Sequence, residues 1–234
     1  MKFTKPLLLS GLLAAVVVGG LVLYGMSRNS APTPVPPAQP APPSQPQPAP
    51  EPAPPAPEPP VSQTKTYTNA MLGFTVEYSD PVIPTEDKQD MAMSGYIPVC
   101  DPDTAVVCFP YGKDQLPGTN FEGSAFSVHL LTALGTEAKC DAAGNGEQAD
   151  GSATVGGISF RKFAFGDAAM GHQLSGENYR YFRNGDCFQL STDVFTSTYE
   201  NFPAGTITRF TDEDRAAVQH LLDAMLTSFR FNGK

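Results

Sequence analysis

Four cysteines are the residues of this chain whose type and number point most directly to chemistry. They are Cys100, Cys108, Cys140 and Cys187. An even number in an exported domain predicts two disulfides, for which three pairings are open. Zinc binding is the competing interpretation, but the chain has no C-x-x-C pair and its three histidines are scattered singly. Free thiols are the remaining alternative; a catalytic thiol would need an unpaired cysteine or a redox motif.

Loop length favours one of the three pairings. Between Cys100 and Cys108 the sequence reads Asp-Pro-Asp-Thr-Ala-Val-Val, in which Pro102 and the flanking acids favour a turn. Such a turn brings two Cα atoms into the range of about 4.4–6.8 Å that a disulfide requires. This pairing leaves Cys140 to bond with Cys187, and we predict these two disulfides.

Histidine is the other residue type with acid–base capacity, and His172 is the best single candidate. It follows a glycine in a predicted loop, and Glu177 lies five residues further on. A lone histidine of this kind is more often structural, so His172 is a weak candidate. His129 is predicted on the polar face of a strand and His220 beside the apolar stripe of a helix, both at or near the surface.

The other patterns with chemical potential are incomplete. A serine hydrolase requires G-x-S-x-G, and neither Ser124 nor Ser175 has the flanking glycines. The segment 141–147 resembles the start of a calcium loop, but Ala143 and Ser152 occupy the third and twelfth ligand positions. We therefore predict no catalytic residue, no cofactor and no metal ligand in this chain.

The N-terminus has the composition of a membrane anchor. Residues 7–26 form an uncharged, mostly apolar run, about the 20 residues that a bilayer core requires. Two lysines precede the run and one arginine follows it, which predicts that residues 1–6 are cytoplasmic and the rest lies outside a bacterial inner membrane. A cleaved signal peptide is the alternative, but the run exceeds the usual roughly 7–15 residues.

A proline-rich linker follows at residues 31–60, where 16 of 30 residues are proline. This composition cannot bury a core, and it favours polyproline II, which would reach ~90 Å if fully extended. We interpret the linker as a spacer. Binding to SH3-type domains would need a cytoplasmic partner, which conflicts with the predicted orientation.

Residues 62–234 are predicted to form one extracytoplasmic domain. From Val61 onward the chain has 174 residues, with 12 Lys and Arg against 22 Asp and Glu, a net charge of −10. That length suits one core. The acidic surface disfavours nucleic-acid binding and electrostatic docking on anionic lipids.

Hydrophobic periodicity predicts that the domain is mostly β-strand. Alternation at 74–78 and 126–130 indicates half-buried strands. Asn184-Gly185 predicts a type I′ hairpin over residues 179–194, with Tyr181 opposite Phe188, Tyr179 opposite Leu190, and both faces covered. Segments 79–98 and 141–153 are expected to be loops or short helical turns.

One helix is predicted near the C-terminus, giving an α+β class in which helices pack on the sheet. Thr211 followed by Asp214 fits an N-terminal cap, and acids in the first turn complement the helix dipole. An apolar stripe then follows at helical spacing: Val218, Leu221, Leu222, Met225, Leu226 and Phe229. Residues 228–231 either end the helix or begin a last strand.

Two terminal segments resemble domains related to the PsbP family of photosystem II extrinsic subunits. They are Leu-Gly-Phe-Thr-Val-Glu-Tyr at 72–78 and Leu-Leu-Asp-Ala-Met-Leu-Thr-Ser-Phe-Arg-Phe at 221–231. Residues 156–160 and 179–190 are similar to uncharacterised membrane-anchored bacterial proteins of this kind. The resemblance implies an antiparallel sheet with helices packed against it. It implies no photosynthetic role, since no transit peptide or manganese-cluster residues accompany it.

These observations predict a membrane-tethered binding or accessory domain whose partner is a protein, a glycan or a small molecule. The alternative is an extracytoplasmic enzyme such as a hydrolase, with a site built from residues distant in sequence. The layout of span, proline-rich stalk and terminal domain is also similar to energy transducers of the TonB type. In those proteins the terminal domain is smaller and differently organised, so the similarity concerns layout alone.

Overall fold

The computed structural model describes residues 63–92 and 100–233, and antiparallel β-strands dominate this range. The strands are β1 Thr64–Asn69, β2 Phe74–Ser79, β3 Ala105–Gly112, β4 Phe121–Leu130, β5 Glu147–Val155, β6 Ile158–Ala169, β7 His172–Arg183, β8 Asp186–Ser197 and β9 Arg230–Phe231. The α-helices are α1 Lys88–Ala92, α2 Glu137–Cys140 and α3 Asp212–Ser228. Antiparallel sheets with few helices are therefore confirmed.

The strands form two sheets. The larger has six strands in the order β3-β4-β8-β7-β6-β5, and the smaller has three in the order β1-β2-β9. The turn between β7 and β8 holds Asn184 and Gly185 at φ 55° and 92°, the left-handed region that a type I′ turn requires. Tyr181 pairs with Phe188 and Tyr179 with Leu190, so the predicted register is confirmed.

Helix α3 begins where its capping residues predict. The Thr211 hydroxyl accepts a hydrogen bond from the Asp214 N–H, and the Asp214 carboxylate accepts one from the Thr211 N–H. The helix ends at Ser228 and the chain passes directly into β9. Residues 228–231 thus both end the helix and begin the last strand.

The larger sheet has two unlike faces, because successive side chains of a strand point to opposite sides. The front face packs against α3 and the smaller sheet, and its buried residues include Phe126, Val128, Phe160, Tyr179, Leu190 and Val194. The back face lies opposite and carries both a small hydrophobic cluster, which includes Ala125 and Phe195, and the buried polar residues Arg180, Gln189 and Ser191. Phe229, directly after α3, contacts Phe74 and Phe160 with ring centroids 5.5 and 6.2 Å apart, which joins the front face to the smaller sheet.

Two secondary-structure predictions need correction. Residues 126–130 belong to β4, which is buried on both faces rather than half-buried. Its front face packs into the core against α3 and the smaller sheet, and its back face is covered by the chain around Cys100–Thr104. Residues 147–153, predicted as loop, begin strand β5. This strand lies at the sheet edge with most of its side chains exposed, so it carries no apolar alternation.

The predicted disulfides are confirmed. Cys100 bonds with Cys108 and Cys140 with Cys187, with Cα–Cα distances of 6.0 and 5.6 Å, and all four residues are buried. The second disulfide fixes α2 to the back face of β8. That face is therefore covered by a helix and its flanking loops, as the hairpin pattern predicted.

The predicted anchor at 7–26 and linker at 31–60 lie outside the described residues. Within 63–92 and 100–233 no helix is both long enough and apolar enough to span a bilayer.

We expect the two disulfides to contribute unequally to stability. Their sequence separations are 47 residues for Cys140–Cys187 and 8 for Cys100–Cys108. In the chain-entropy model the longer loop stabilises more, by ~1.5RT ln(47/8), or about 1.5 kcal/mol. The double variant Cys140→Ser/Cys187→Ser should therefore unfold at lower denaturant concentration than Cys100→Ser/Cys108→Ser. Equal midpoints, or the reverse order, would contradict this.

Candidate functional site

His172 lies on the back face at the start of β7. Its ring stacks on Phe195 with 5.4 Å between ring centroids, and its Nδ1 is 3.1 Å from the Ser197 hydroxyl. Ser197 donates in turn to the Glu122 carboxylate at 2.5 Å. Glu177, the carboxylate that the sequence suggested for His172, lies on the front face and pairs with Lys162. An odd sequence separation along one strand places two side chains on opposite faces.

The order of these groups differs from that of a hydrolase triad. In a triad the histidine lies between the serine and the carboxylate, and takes the serine proton. Here Ser197 lies between His172 and Glu122, and it donates its proton to the carboxylate. Ser197 is also only 5% exposed. The hydrogen bonds among His172, Ser197 and Glu122 therefore connect the ends of β4, β7 and β8.

A buried ion pair between Arg180 and Glu147 dominates the centre of the back face. Their side chains are 8% and 6% exposed, and Arg180 Nη2 lies 2.6 Å from Glu147 Oε1. The guanidinium also donates to Gln189 Oε1 at 2.7 Å and to the Ala142 carbonyl at 2.9 Å. Three hydrogen bonds to three acceptors satisfy a charge that would be costly to bury alone.

The ion pair continues into a network of neutral groups. Asn178 donates to Glu147 Oε1 at 2.7 Å and accepts from the Ser191 hydroxyl at 2.5 Å. The Ser191 hydroxyl accepts from Gln189 at 3.0 Å. Glu147, the seventh residue of the segment compared with a calcium loop, thus connects β5 to β7 by hydrogen bonds. No motif in the sequence indicates this network. The run of polar residues along β7 and β8 is the one pattern that points to it.

His129 forms a second buried polar group, so the prediction that it lies near the surface is wrong. It is 4% exposed, with Nδ1 2.9 Å from the Thr104 hydroxyl and Nε2 2.7 Å from the Ser127 hydroxyl. Thr104 donates to Asp101 at 2.9 Å. Burial lowers the pKa of His129 to about 4, and the Asp101 charge opposes this only in part. Ser127 is fully buried, so a substrate cannot reach the hydrogen-bonded chain of Asp101, Thr104, His129 and Ser127.

Asp193 is a buried carboxyl that, unlike Glu147, is not paired with a cation in the part of the chain that the structure describes. It stands opposite Ala125 on β4 and Gly176 on β7, and its Oδ1 has no hydrogen-bond partner among the described residues. The carboxyl occupies the space that Gly176 leaves open. An added Cβ at Gly176 would lie 3.0 Å from Oδ1 and 2.1 Å from the Thr192 carbonyl. Burial raises the pKa of Asp193 to about 8, which keeps the carboxyl protonated at neutral pH.

The described residues offer no assembled metal site. Among residues 63–92 and 100–233 no three His, Cys, Asp or Glu side chains are grouped so as to hold an ion. His129, His172 and His220 lie apart, and His220 is exposed on α3.

Replacing Asp193 should remove one pH dependence of stability. The unfolded chain loses this proton near pH 4 and the folded chain near pH 8, so the free energy of unfolding falls as the pH rises through that window. The slope is at most about 1.4 kcal/mol per pH unit. Asp193→Asn should be more stable than the parent protein at pH 8 in urea unfolding, whereas Asp103→Asn, an exposed control, should match it. Equal stability of Asp193→Asn and the parent at pH 8 would contradict the prediction.

His129 should contribute a slope of opposite sign. The unfolded chain binds this proton near pH 6.5 and the folded chain near pH 4, so stability is present above pH 6.5 and is lost as the pH falls towards 4. In the Asp193→Asn background, urea unfolding should show this loss, and His129→Gln should reduce it. His220→Gln should leave it unchanged. An identical slope with and without His129 would rule out this assignment.

No protein-family model and no curated protein matches the chain. It is similar to solved structures of LpqN, involved in cell envelope biogenesis of Mycobacterium tuberculosis (12% identity, TM-score 0.38, covering 74% of this chain and 92% of LpqN). It is also similar to the cyanobacterial PsbP, CyanoP, from Synechocystis (16%, 0.35, 72% and 92%) and to the Saccharomyces cerevisiae Ran-binding protein Mog1p (14%, 0.37, 73% and 96%). At these identities the likeness concerns the fold alone. A PsbP structure is thus among the solved structures to which this chain is similar.

Proposed function

We propose that this protein is a membrane-tethered extracytoplasmic binding or accessory protein. One observation carries the non-catalytic part of the proposal. On the back face Ser127, His129 and Ser197 are buried, and each is hydrogen-bonded to another side chain of the protein. A catalytic group must reach its substrate. These side chains instead stabilise the sheet.

The tether is proposed from the sequence. Residues 1–6 are cytoplasmic, 7–26 span the inner membrane, 31–60 form the stalk, and 62–234 form the domain in the periplasm or outside the cell. Two buried disulfides in the domain support an oxidising compartment. The partner is a protein, a glycan or a small molecule, and the net acidic charge argues against nucleic acid.

An extracytoplasmic hydrolase is the second candidate function, and the contact of His172 with Ser197 and Glu122 is the observation that favours it. For hydrolysis Ser197 would have to turn its proton from Glu122 to His172 and become accessible. The arrangement in the structure does neither, so the binding role is the better-supported proposal.

Fractionation of cells tests the tether. Full-length protein should stay in the membrane pellet after a carbonate wash, because an apolar span is not removed by high pH. Protease added to spheroplasts should cut the stalk and release a fragment that begins near Ser62 and contains both disulfides. As a control, a cytoplasmic protein in the same sample should resist the protease. Recovery of a soluble form beginning near residues 27–32 would instead show a cleaved signal peptide.

A further inference from the structure

The front face of the larger sheet has an uncovered end near the turn between β6 and β7. There a concavity of about 350 Å³ lies between the sheet and the first turn of α3. Its lining includes Gly166, Ala168, Gln173, Ser175, Thr196 and Arg215, which we call the Arg215 pocket. Its size is within the range of about 300–1,000 Å³ typical of small-molecule sites.

Strand pairing places these residues side by side. Ala168 is opposite Gln173, which is opposite Thr196, and Gly166 is opposite Ser175 in the next row. Side chains in such rows point to the same face. Glycine and alanine on β6 leave a shallow floor, and the polar side chains of β7 and β8 stand beside it.

The polar groups of the Arg215 pocket lack partners within the described parts of the chain. The side chains of Gln173 and Ser175 are exposed and that of Thr196 is mostly buried, and none of the three forms a hydrogen bond within residues 63–92 and 100–233. On the back face, by contrast, Arg180 and Gln189 are hydrogen-bonded to protein atoms. The donors and acceptors of Gln173, Ser175 and Thr196 line the concavity and can bond to a ligand in place of water.

Arg215 supplies the charge of the pocket. Its guanidinium lies 5.2 Å from the centre of the Phe210 ring and forms no ion pair with a described residue. A cation–π contact leaves the guanidinium N–H groups available, and a guanidinium can bind a carboxylate in bidentate fashion. Asp167 at the rim, which accepts from the Ala168 N–H at 2.8 Å, and the net charge of −10 disfavour dianions such as phosphate.

We propose that the Arg215 pocket binds a ligand through a single carboxylate. The carboxylate pairs with Arg215, while Gln173, Ser175 and Thr196 hydrogen-bond to the carboxylate or to the adjoining polar atoms of the ligand. The inference rests on the proposed binding role and names the chemical class of its ligand. A free small acid and the carboxyl terminus of a peptide share this chemistry.

Calorimetric titration of the full-length protein in an uncharged detergent tests the proposal. The probes are acetate for a small acid and N-acetyltriglycine for a peptide terminus, with N-acetyltriglycine amide as the uncharged control. We expect one or both carboxylates to bind at least tenfold more tightly than the amide. The probe that binds more tightly shows whether the ligand is a small acid or the carboxyl terminus of a peptide. No binding by either probe, or equal affinity for the amide, would overturn the proposal without affecting the membrane fractionation.

Three substitutions locate the binding. Arg215→Gln should weaken the tighter probe at least tenfold, whereas Arg209→Gln, which removes an exposed arginine paired with Glu200, should not. Thr196→Val should weaken it about three- to tenfold. Gly166→Val should block the floor without disturbing the fold, because an added Cβ meets only the Leu174 carbonyl at 3.8 Å.

Two results would refute the assignment to this pocket or to this ligand class. The first is unchanged binding in both Arg215→Gln and Gly166→Val, with melting temperatures equal to that of the parent protein. The second is tighter binding of inorganic phosphate or of methyl glucoside than of either carboxylate, which would indicate a phosphate or a sugar site.

Discussion

Burial of both faces of strand β8 is the constraint on which the rest of this domain depends. Every residue from Cys187 to Ser197 is buried, with the hydrophobic core on the front side and the polar network on the back. A strand covered on both sides usually carries apolar residues throughout. Here its back-face residues include Gln189, Ser191 and Asp193. Their polar atoms lose water on folding, so the neighbouring strands and loops must supply hydrogen bonds.

The disulfides hold in place the segments that supply those bonds. Cys140–Cys187 fixes α2 against β8, and the chain that follows presents the Ala142 carbonyl and then Glu147 to Arg180. The chain between Cys100 and Cys108 carries Thr104, which binds His129. Each covalent link therefore stabilises a cover over a buried polar group. Because losing one partner leaves the other buried and unsatisfied, we expect disulfide loss to cost more than chain entropy alone.

The two faces of the larger sheet differ in whether the protein supplies hydrogen-bond partners for their polar side chains. On the back face Arg180 has three acceptors from the protein, and its role is structural. At the uncovered end of the front face Arg215 stacks on Phe210 and has no described acceptor. Both are arginines in a strongly acidic domain, and burial and partners distinguish a residue that maintains the fold from one available to a ligand. Asp193 belongs to neither class, since its carboxyl is buried and neutral and its Oδ1 has no hydrogen-bond partner among the described residues.

Local signals in the sequence by themselves determined the hairpin register, the start of α3 and the pairing of the cysteines. Each depends on a few neighbouring residues, such as Asn184-Gly185, the pair Thr211 and Asp214, or the short loop between Cys100 and Cys108. Only the tertiary structure decided which polar residues are buried and which meet. Arg180 and Glu147 are 33 residues apart, and Arg215 reaches the pocket from a different element. Their proximity follows from the strand order β8-β7-β6-β5, which depends on burial summed over the whole domain. No local pattern encodes that sum, so His129 looked like a surface residue in the sequence and proved to lie beneath a loop.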